Sequence, residues 1–298
     1  MDVKTKTDDR GPFRRDAEGR DIDERDIDDL RNPRSDVEDD KPTLLGQLGF
    51  VAALLLAVLI LRSFIFAPFS IPSESMLPRL MNGDYLLAAK WPYGYSSYSL
   101  PFNAPLLRER ILARAPARGD VVIFKHPIDQ QDYIKRVIGL PGDEIGVLGG
   151  QIVLNGKLVP REAQDDFIIN VSPNTACGPG ARDEVISDEL HTCAYRRFRE
   201  ELPGGASYDV LDLGITPGDT IPPMTVPEGH MFVMGDNRDN SRDSRFPAMA
   251  GDAVGMVPQE NLVGRAAVIM WSTDGSAEWI KPWTWFSAAR WDRIGTGF

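Results

Sequence analysis

The residues best suited to chemistry are two serines in a proline-flanked segment and one lysine among aliphatic residues. The segment FAPFSIPSESMLPRL, Phe66 to Leu80, places Ser73 and Ser75 directly after a long apolar run. Lys135 lies in DYIKRVIGLPGD, where a strand could carry its amine into an apolar environment. A free lysine has a pKa near 10.4, which would have to fall by roughly 2 for a base near pH 8. Most strand lysines point to solvent, so these residues alone do not establish a serine nucleophile with a lysine base.

Other hydrolytic sites have less support. The three histidines are His126, His191 and His230, and none lies among residues that mark it as a catalytic base. We expect each to be a surface or packing histidine. The sequence lacks GxSxG, HExxH, and the combination of S-x-x-K with KTG. It therefore does not indicate a histidine-dependent serine hydrolase, a zinc protease or a penicillin-binding enzyme.

The segment GDNRDNSRDSRF, Gly235 to Phe246, superficially resembles a calcium loop. In the register that starts at Asp239, the sixth position is not glycine, and Ala250 stands where the twelfth-position glutamate belongs. Arg238 and Arg242 add positive charge. The composition instead predicts a tight polar turn with internal ion pairs, and we expect neither a metal nor a cofactor.

The composition indicates a globular protein with appendages. The chain has 298 residues, 42% hydrophobic and 26% charged, and a formal net charge of -11. Since nucleic-acid binding needs a basic surface, we expect no nucleic-acid partner.

A membrane span is predicted from the apolar run that begins at Leu44. Eighteen helical residues extend roughly 27 Å, close to the thickness of the hydrocarbon core. A cleaved signal peptide is the alternative, but the run lies far from the N-terminus and no small-x-small cleavage site follows. Lysines and arginines are frequent before the span, whereas residues 67–90 contain only Arg79 and Lys90. This asymmetry predicts a cytoplasmic N-terminus.

Short β-like runs dominate the sequence after the span: YLLAAK, DVVIF, YIKRVIGL, HMFVMG and GRAAVIMW. Asn155-Gly156 between two apolar runs predicts a hairpin with a type I′ turn. The outer region is therefore expected to be mainly β-sheet.

Two further features leave alternatives open. Cys177 and Cys193 could form a disulfide outside the cytoplasm, worth about 3 kcal/mol, or remain free thiols. The C-terminal EWIKPWTWFSAARWDRIGTGF combines tryptophans with basic residues, which suits a membrane interface. Packing of these rings on the β domain is the equal alternative.

The combined motifs resemble those of the bacterial type I signal peptidases, membrane-bound Ser/Lys proteases of the S26 family. The resemblance is carried, in the family's order, by IPSESMLPRL, RGDVVIF, YIKRVIGLPGD, MGDNRDNSRDSRF and LVGRAAVIMW. With the preceding span it covers most of residues 45–272. The combination is highly specific, although no single stretch is.

The resemblance implies roles for individual residues. Ser75 matches the nucleophile and Lys135 the general base. The Ser73 hydroxyl, with the Ser75 N–H, matches the oxyanion hole. Ser241 and Tyr133 match residues that orient the lysine.

The resemblance also implies supporting and substrate-binding residues. The structural supports are Asp243 with Arg245, and Asp236 with Arg136. The residues expected to line shallow apolar pockets for small side chains are Phe69, Ile71, Pro72, Met76, Leu80, Ile123 and Ile134.

By the same resemblance the fold is mainly β, with a catalytic β core, an inserted second β domain and one N-terminal transmembrane helix. The expected organisation is a disordered acidic cytoplasmic tail (1–43), the transmembrane helix (44–67), a catalytic β domain (68–160 and 230–275), the inserted β domain (161–229), and a Trp- and Arg-rich membrane-interface segment (276–298).

The implied function is cleavage of N-terminal signal peptides from exported preproteins after Ala-x-Ala type sites, through an acyl-enzyme. The expected partners are preproteins, the lipid bilayer and the secretion translocon. The expected location is the bacterial inner membrane, with the catalytic domain on the outer side. Unlike some family members, this chain has one predicted span and a long acidic tail; its lysine base is typical of the bacterial type rather than of the histidine-dependent microsomal one.

Two rival functions remain. Self-cleaving repressors share a related Ser/Lys core, but they are cytoplasmic and carry a DNA-binding helix-turn-helix. A membrane-tethered β domain that only binds cell-wall or periplasmic partners is the non-catalytic alternative.

Overall fold

A computed structural model describes residues 43–298, except 101–106, 108, 179, 188–189 and 279. The predicted acidic tail, 1–43, lies outside the described residues apart from Thr43. The chain divides into two compact units, Met1–Ala53 and Leu54–Phe298.

The first described element is the apolar helix α1, Leu44–Phe64, with Arg62 in its last turn. Its mean hydropathy is 2.6, so among the described residues it is the one helix long and apolar enough to cross a membrane. The sequence predicted a helix to residue 67, which is three residues too long. Pro68 disfavours helical geometry at Ala67, and the chain from Phe66 onward pairs as a strand instead.

The part of the second unit that the structure describes is mainly β, as predicted. Its described residues contain the part of α1 from Leu54 onward, a short C-terminal α-helix, α2 (Thr284–Ala288), and fifteen strands. The strands are β1 (Phe66–Ser70), β2 (Asp84–Ala89), β3 (Val121–Lys125), β4 (Asp132–Gly139), β5 (Glu144–Leu148), β6 (Gln151–Leu154), β7 (Lys157–Leu158), β8 (Arg161–Asn170), β9 (Arg182–Ser187), β10 (Leu190–Glu201), β11 (Ser207–Leu211), β12 (Thr220–Thr225), β13 (His230–Met234), β14 (Val257–Pro258) and β15 (Leu262–Ser272).

A seven-stranded antiparallel sheet forms the framework, in the order β1-β2-β15-β3-β4-β13-β14. Its strands are rich in β-branched and aromatic residues, which suit a pleated, half-buried surface. Strand β4 lies between β3 and β13, so the segment that carries Lys135 is held on both sides. The core includes fully buried Val122, Phe124, Val137 and Phe232. This packing makes the middle of the sheet a rigid base for side chains that project from it.

Two four-stranded sheets complete the fold, one of β11-β10-β8 with β9 and one of β12-β5-β6-β7. Asn155 and Gly156 both have positive φ between β6 and β7, in agreement with the predicted two-residue hairpin. This hairpin was assigned to the catalytic β domain, 68–160. Strand β5, which pairs with β6 of this hairpin, also pairs with β12 from the predicted insertion, so the boundary at residue 160 does not separate two sheets.

The C-terminal segment both packs on the large sheet and exposes aromatic rings. Gly295 donates its N–H to the Ile269 carbonyl at 2.8 Å, and the Arg293 guanidinium pairs with buried Asp84. The rings of Trp283 and Phe286 are each 68% exposed. The backbone of this segment therefore packs on the sheet while two of its rings remain exposed, and contact of these rings with a membrane interface stays a prediction.

Candidate active site

The side chains of Lys135 and Ser75 meet directly. The Lys135 Nζ donates to the Ser75 Oγ at 2.6 Å, and the two residues are 4% and 9% exposed. These are the two residues that the resemblance matched to a base and a nucleophile.

The position of Lys135 follows from the strand that carries it. Lys135 pairs with Val122 of β3, and Ile123 pairs with Ile134, so the amine emerges among aliphatic neighbours. Burial lowers the pKa of Lys135 to about 8, although the carboxylates of Asp243 and Asp236 act in the opposite direction. The Lys135 ammonium therefore loses its proton near pH 8, and the neutral amine that results can accept a proton from Ser75.

The position of Ser75 is fixed by a second loop. Asn237 donates its backbone N–H to the Ser75 carbonyl and its side-chain Nδ2 to the Glu74 carbonyl, both at 3.1 Å. Two backbone carbonyls of the serine loop are thus held by one buried asparagine. The sequence analysis did not identify Asn237, although this residue lies in the quoted motif GDNRDNSRDSRF, four residues before Ser241.

Two groups near Ser75 can donate hydrogen bonds to a developing oxyanion. The hydroxyls of Ser73 and Ser75 are 3.4 Å apart, and Ser73 is exposed toward solvent. The Ser75 N–H donates to no acceptor among the described residues. Both donors that the resemblance implied therefore lie at the nucleophile.

Two buried ion pairs flank the lysine. Arg245 donates from Nε and Nη2 to the Asp243 carboxylate at 2.8 and 3.0 Å. Arg136 donates from Nε and Nη2 to Asp236 at 2.7 and 2.6 Å. Bidentate pairs of this kind fix the orientation of both partners.

The predicted polar turn forms, but only part of its ion pairing is internal. Asp243 with Arg245 lies within the turn, whereas Arg238 pairs with Glu200 and Arg242 with Asp252. The last two pairs tie the turn to other loops and strands.

No hydrogen bond joins Lys135 to either of the two residues expected to orient it. The Ser241 Oγ is buried, and a contact of its hydroxyl with Asp243 contributes to lowering the pKa of that carboxyl. Tyr133 lies on the same face of β4, but its ring packs against His126 at a tilt of 39°, with ring centroids 4.9 Å apart. Both residues remain near the lysine without a hydrogen bond to it.

At Gly235 the backbone passes very close to both Ser241 and Ser75. A Cβ atom at Gly235 would lie 2.3 Å from the Ser241 Oγ and 2.4 Å from the Ser75 carbonyl oxygen. Only hydrogen fits there. Sequence analysis did not single out this glycine, because close approach of two loops leaves no local signal.

An open groove of about 370 Å³ runs past the two side chains. Of the residues expected to bind substrate, it is lined by Phe69, Ile71, Pro72, Ile123 and Ile134. Met76 and Leu80, which were expected in the same set, have no exposed surface and pack in the core beneath it. They support the groove in this structure and do not line it.

Cys177 and Cys193 form a disulfide, which was one of the two alternatives that the sequence left open. It lies in the small sheet that contains β10, and Gly178 next to it approaches the Glu74 carboxylate. Among the described residues, no cluster of His, Cys, Asp and Glu could hold a metal ion.

A buried amine whose pKa is lowered to about 8, hydrogen-bonded to a serine hydroxyl in an open groove with two hydrogen-bond donors nearby, is suited to acyl transfer of the kind that serine hydrolases perform. The comparison with known proteins agrees with this class. The chain belongs to the signal peptidase family, peptidase S26, whose model matches residues 45–271. It is therefore a peptidase.

Curated relatives agree with this family, and one solved structure was matched as well. A signal peptidase I of Rickettsia prowazekii is 36% identical over 241 residues, covering 78% of this chain and 81% of the relative. That of Rickettsia massiliae is 38% identical over 235 residues, covering 76% and 78%. A crystal structure of a signal peptidase I from Enterococcus faecalis V583 has a TM-score of 0.27 at 22% identity, covering 51% of this chain and 97% of that one. The structural similarity is too low to support a conclusion.

Proposed function

We propose that the chain is a membrane-bound serine endopeptidase that removes N-terminal signal peptides from exported preproteins. Its family and its relatives named signal peptidase I support this substrate class. The observation that carries the mechanism is the 2.6 Å hydrogen bond between Lys135 Nζ and Ser75 Oγ, made in a buried setting.

Each chemical step has a group in place. Neutral Lys135 accepts the Ser75 hydroxyl proton as the oxygen attacks the scissile carbonyl carbon. The oxyanion accepts hydrogen bonds from the Ser73 hydroxyl and the Ser75 N–H. The lysine ammonium then protonates the leaving amine of the mature protein. Water, deprotonated by the same lysine, hydrolyses the ester and restores Ser75.

The groove accounts for cleavage after small residues. Its walls near the serine are the aliphatic side chains of Ile71, Ile123 and Ile134, over a closely packed core. A shallow apolar surface accommodates alanine without leaving polar groups unpaired, whereas larger side chains would require the core to move. Ala-x-Ala sites are the corresponding substrates.

The membrane arrangement follows the charge bias of the sequence. The N-terminus lies in the cytoplasm, α1 spans the inner membrane, and the peptidase unit lies on the outer side. Strand β1 begins two residues after α1 ends, at Phe66, so the chain enters the serine-bearing segment directly from the span. The exposed rings of Trp283 and Phe286 contact the lipid interface, and the secretion translocon delivers the substrate.

Cleavage of a purified preprotein with an Ala-x-Ala site tests the proposal. The full chain in detergent micelles should yield one product, whose new N-terminus mass spectrometry places directly after that site. Ser75→Ala and Lys135→Met should abolish the product while circular dichroism stays unchanged. Matched controls are Ser287→Ala, at an exposed serine, and Lys125→Met, whose ammonium pairs with Asp132. Full activity of either Ser75→Ala or Lys135→Met would rule out the proposed mechanism.

A further inference from the structure

A second cavity, of about 420 Å³, is lined by Arg136, the residue that follows Lys135 in β4, and shares no lining residue with the groove. Successive strand residues point to opposite faces, so the Arg136 side chain leaves β4 on the face opposite to that of Lys135. We name it the arginine pocket, after the guanidinium groups that line it: Arg79, Arg136, Arg197, Arg199 and Arg265.

Carboxylates do not balance this charge. Arg136 is neutralised by Asp236 behind it. Of the other four, Arg197 and Arg199 share the single carboxylate of Asp209, at 3.5 and 2.9 Å. Arg265 reaches Asp120 only at 3.7 Å. These four guanidinium groups outnumber the two side-chain carboxylates that pair with them, so the side chains give the lining an excess of positive charge in a chain whose net charge is -11.

Arg79 has no carboxylate partner at all among the described residues. Its guanidinium lies over the Phe298 ring, 4.8 Å from the centroid, and donates to the Gly297 carbonyl. Burial, followed by repulsion from Arg136, lowers the pKa of Arg79, although the carboxylates of Asp236 and Asp209 act in the opposite direction. A partly buried cation that pairs directly with no carboxylate is stabilised when an anion joins it.

The remaining lining suits a compact anion. The Ser207 side chain and the Gly119 backbone add small polar groups, whereas Phe167 closes one wall. Guanidinium groups bind phosphate in a bidentate manner, and the negative charge of a phosphate group complements the arginine-rich lining. The volume is within the range of small-ligand sites, so a group attached to the phosphate also fits.

We propose that the arginine pocket binds a phosphate group, either as free phosphate or as part of a phosphomonoester lipid headgroup. The site is separate from the peptidase groove, and it does not depend on the proposed function.

Titration of the full chain in detergent with inorganic phosphate, followed by calorimetry or ³¹P NMR, tests the site. Arg79→Gln and Arg199→Gln should each weaken binding by at least about tenfold, because each removes a charge-assisted contact. Arg182→Gln is the matched control: it is an exposed arginine paired with Asp166 on a strand outside the pocket, and it should bind phosphate as the parent does. Arg199 is itself exposed, so its variant keeps the test valid should Arg79→Gln fold poorly.

Monomeric lysophosphatidic acid distinguishes the two sources. Binding tighter than that of inorganic phosphate by tenfold or more, and lost in both arginine variants, supports a lipid headgroup. Equal affinities with the same arginine dependence support free phosphate. Absence of phosphate binding at millimolar concentration, or binding of both ligands that is insensitive to Arg79→Gln and Arg199→Gln, overturns the proposal.

Discussion

Lys135 Nζ and Ser75 Oγ lie 2.6 Å apart although 60 residues separate them in sequence. The contact unites a strand in the middle of the large sheet with a turn that follows its edge strand β1. An ammonium at this position donates to the hydroxyl, whereas a neutral amine accepts from it. The protonation state of one buried lysine therefore decides whether the serine is activated.

The rate of peptide cleavage should rise with pH and level off above an apparent pKa near 8. Burial lowers the pKa of Lys135 to about 8, so the proton that blocks the base is lost in that range and not near 10.4. The pH dependence of kcat/KM on a preprotein measures this. A rate that still climbs at pH 10, with no inflection nearer 8, would contradict a depressed amine.

Lys135→Met should stabilise the inactive protein at pH 7 by about 3 kcal/mol, since it removes the cost of burying an ammonium whose pKa is lowered from 10.5 to about 8. Between pH 8 and 10 the unfolded state binds more protons at this site than the folded state, so the stability of the parent should rise with pH. Lys90, whose pKa is also lowered to about 8 by burial, contributes to both proteins and cancels in the difference. Urea unfolding at pH 7 and at pH 10 measures the difference in unfolding free energy between the variant and the parent, which should be smaller at pH 10. A Lys135→Met variant that is less stable than the parent at pH 7 would argue against burial as the cause of the lowered pKa.

Gly235→Ala should lower kcat by on the order of a hundredfold, because displacement of a reacting group by about 1 Å has that cost. The added Cβ would meet both Ser241 Oγ and the Ser75 carbonyl, at 2.3 and 2.4 Å. Gly214 also has no positive φ, and a Cβ there meets nothing within 4 Å. Gly214→Ala should therefore retain activity in the same assay, and equal rates for both variants would show that the contact at Gly235 is unimportant.

Arg245→Met should destabilise the fold by about 3–5 kcal/mol, because it leaves the fully buried Asp243 carboxylate without its partner. Arg242→Met, which breaks the more exposed pair with Asp252, should change stability by less than about 1 kcal/mol. Thermal or urea unfolding compares the two. Similar losses of unfolding free energy in both variants would mean that burial does not determine how much these ion pairs contribute to stability.

Reduction of Cys177–Cys193 should cost about 3 kcal/mol of unfolding free energy, from the release of the intervening loop. A double Cys→Ala variant is the control, since reductant should not change its stability. A free-thiol assay on unreduced protein decides the pairing itself, and two reactive thiols would exclude it.

Much of the fold could be predicted from sequence because its signals are local. The apolar run gave α1, the β-branched runs gave β2, β3, β4, β13 and β15, and Asn155-Gly156 gave a tight hairpin. The end of α1 was missed because pairing of Phe66–Ser70 with β2 is a long-range interaction. The pairing of β5 with β12 was missed for the same reason.

The candidate site shows the same division. Ser75 and Lys135 were identified through the resemblance of several motifs, since neither residue is unusual by itself. The carbonyls held by Asn237 and the contact at Gly235 depend on two loops that meet only in the folded chain. Burial of Met76 and Leu80 likewise follows from tertiary packing, which overrides a position next to the nucleophile in sequence.

Because successive side chains of β4 point to opposite faces of the sheet, the site depends on the number of residues that precede Lys135 in this strand. A one-residue deletion in the part of this strand before Lys135 would exchange the faces of Lys135 and Arg136. The permanently charged guanidinium would then take the place of the amine beside Ser75, and the amine would leave the strand on the opposite face. Such a frame change would silence the peptidase without altering any residue that performs the chemistry.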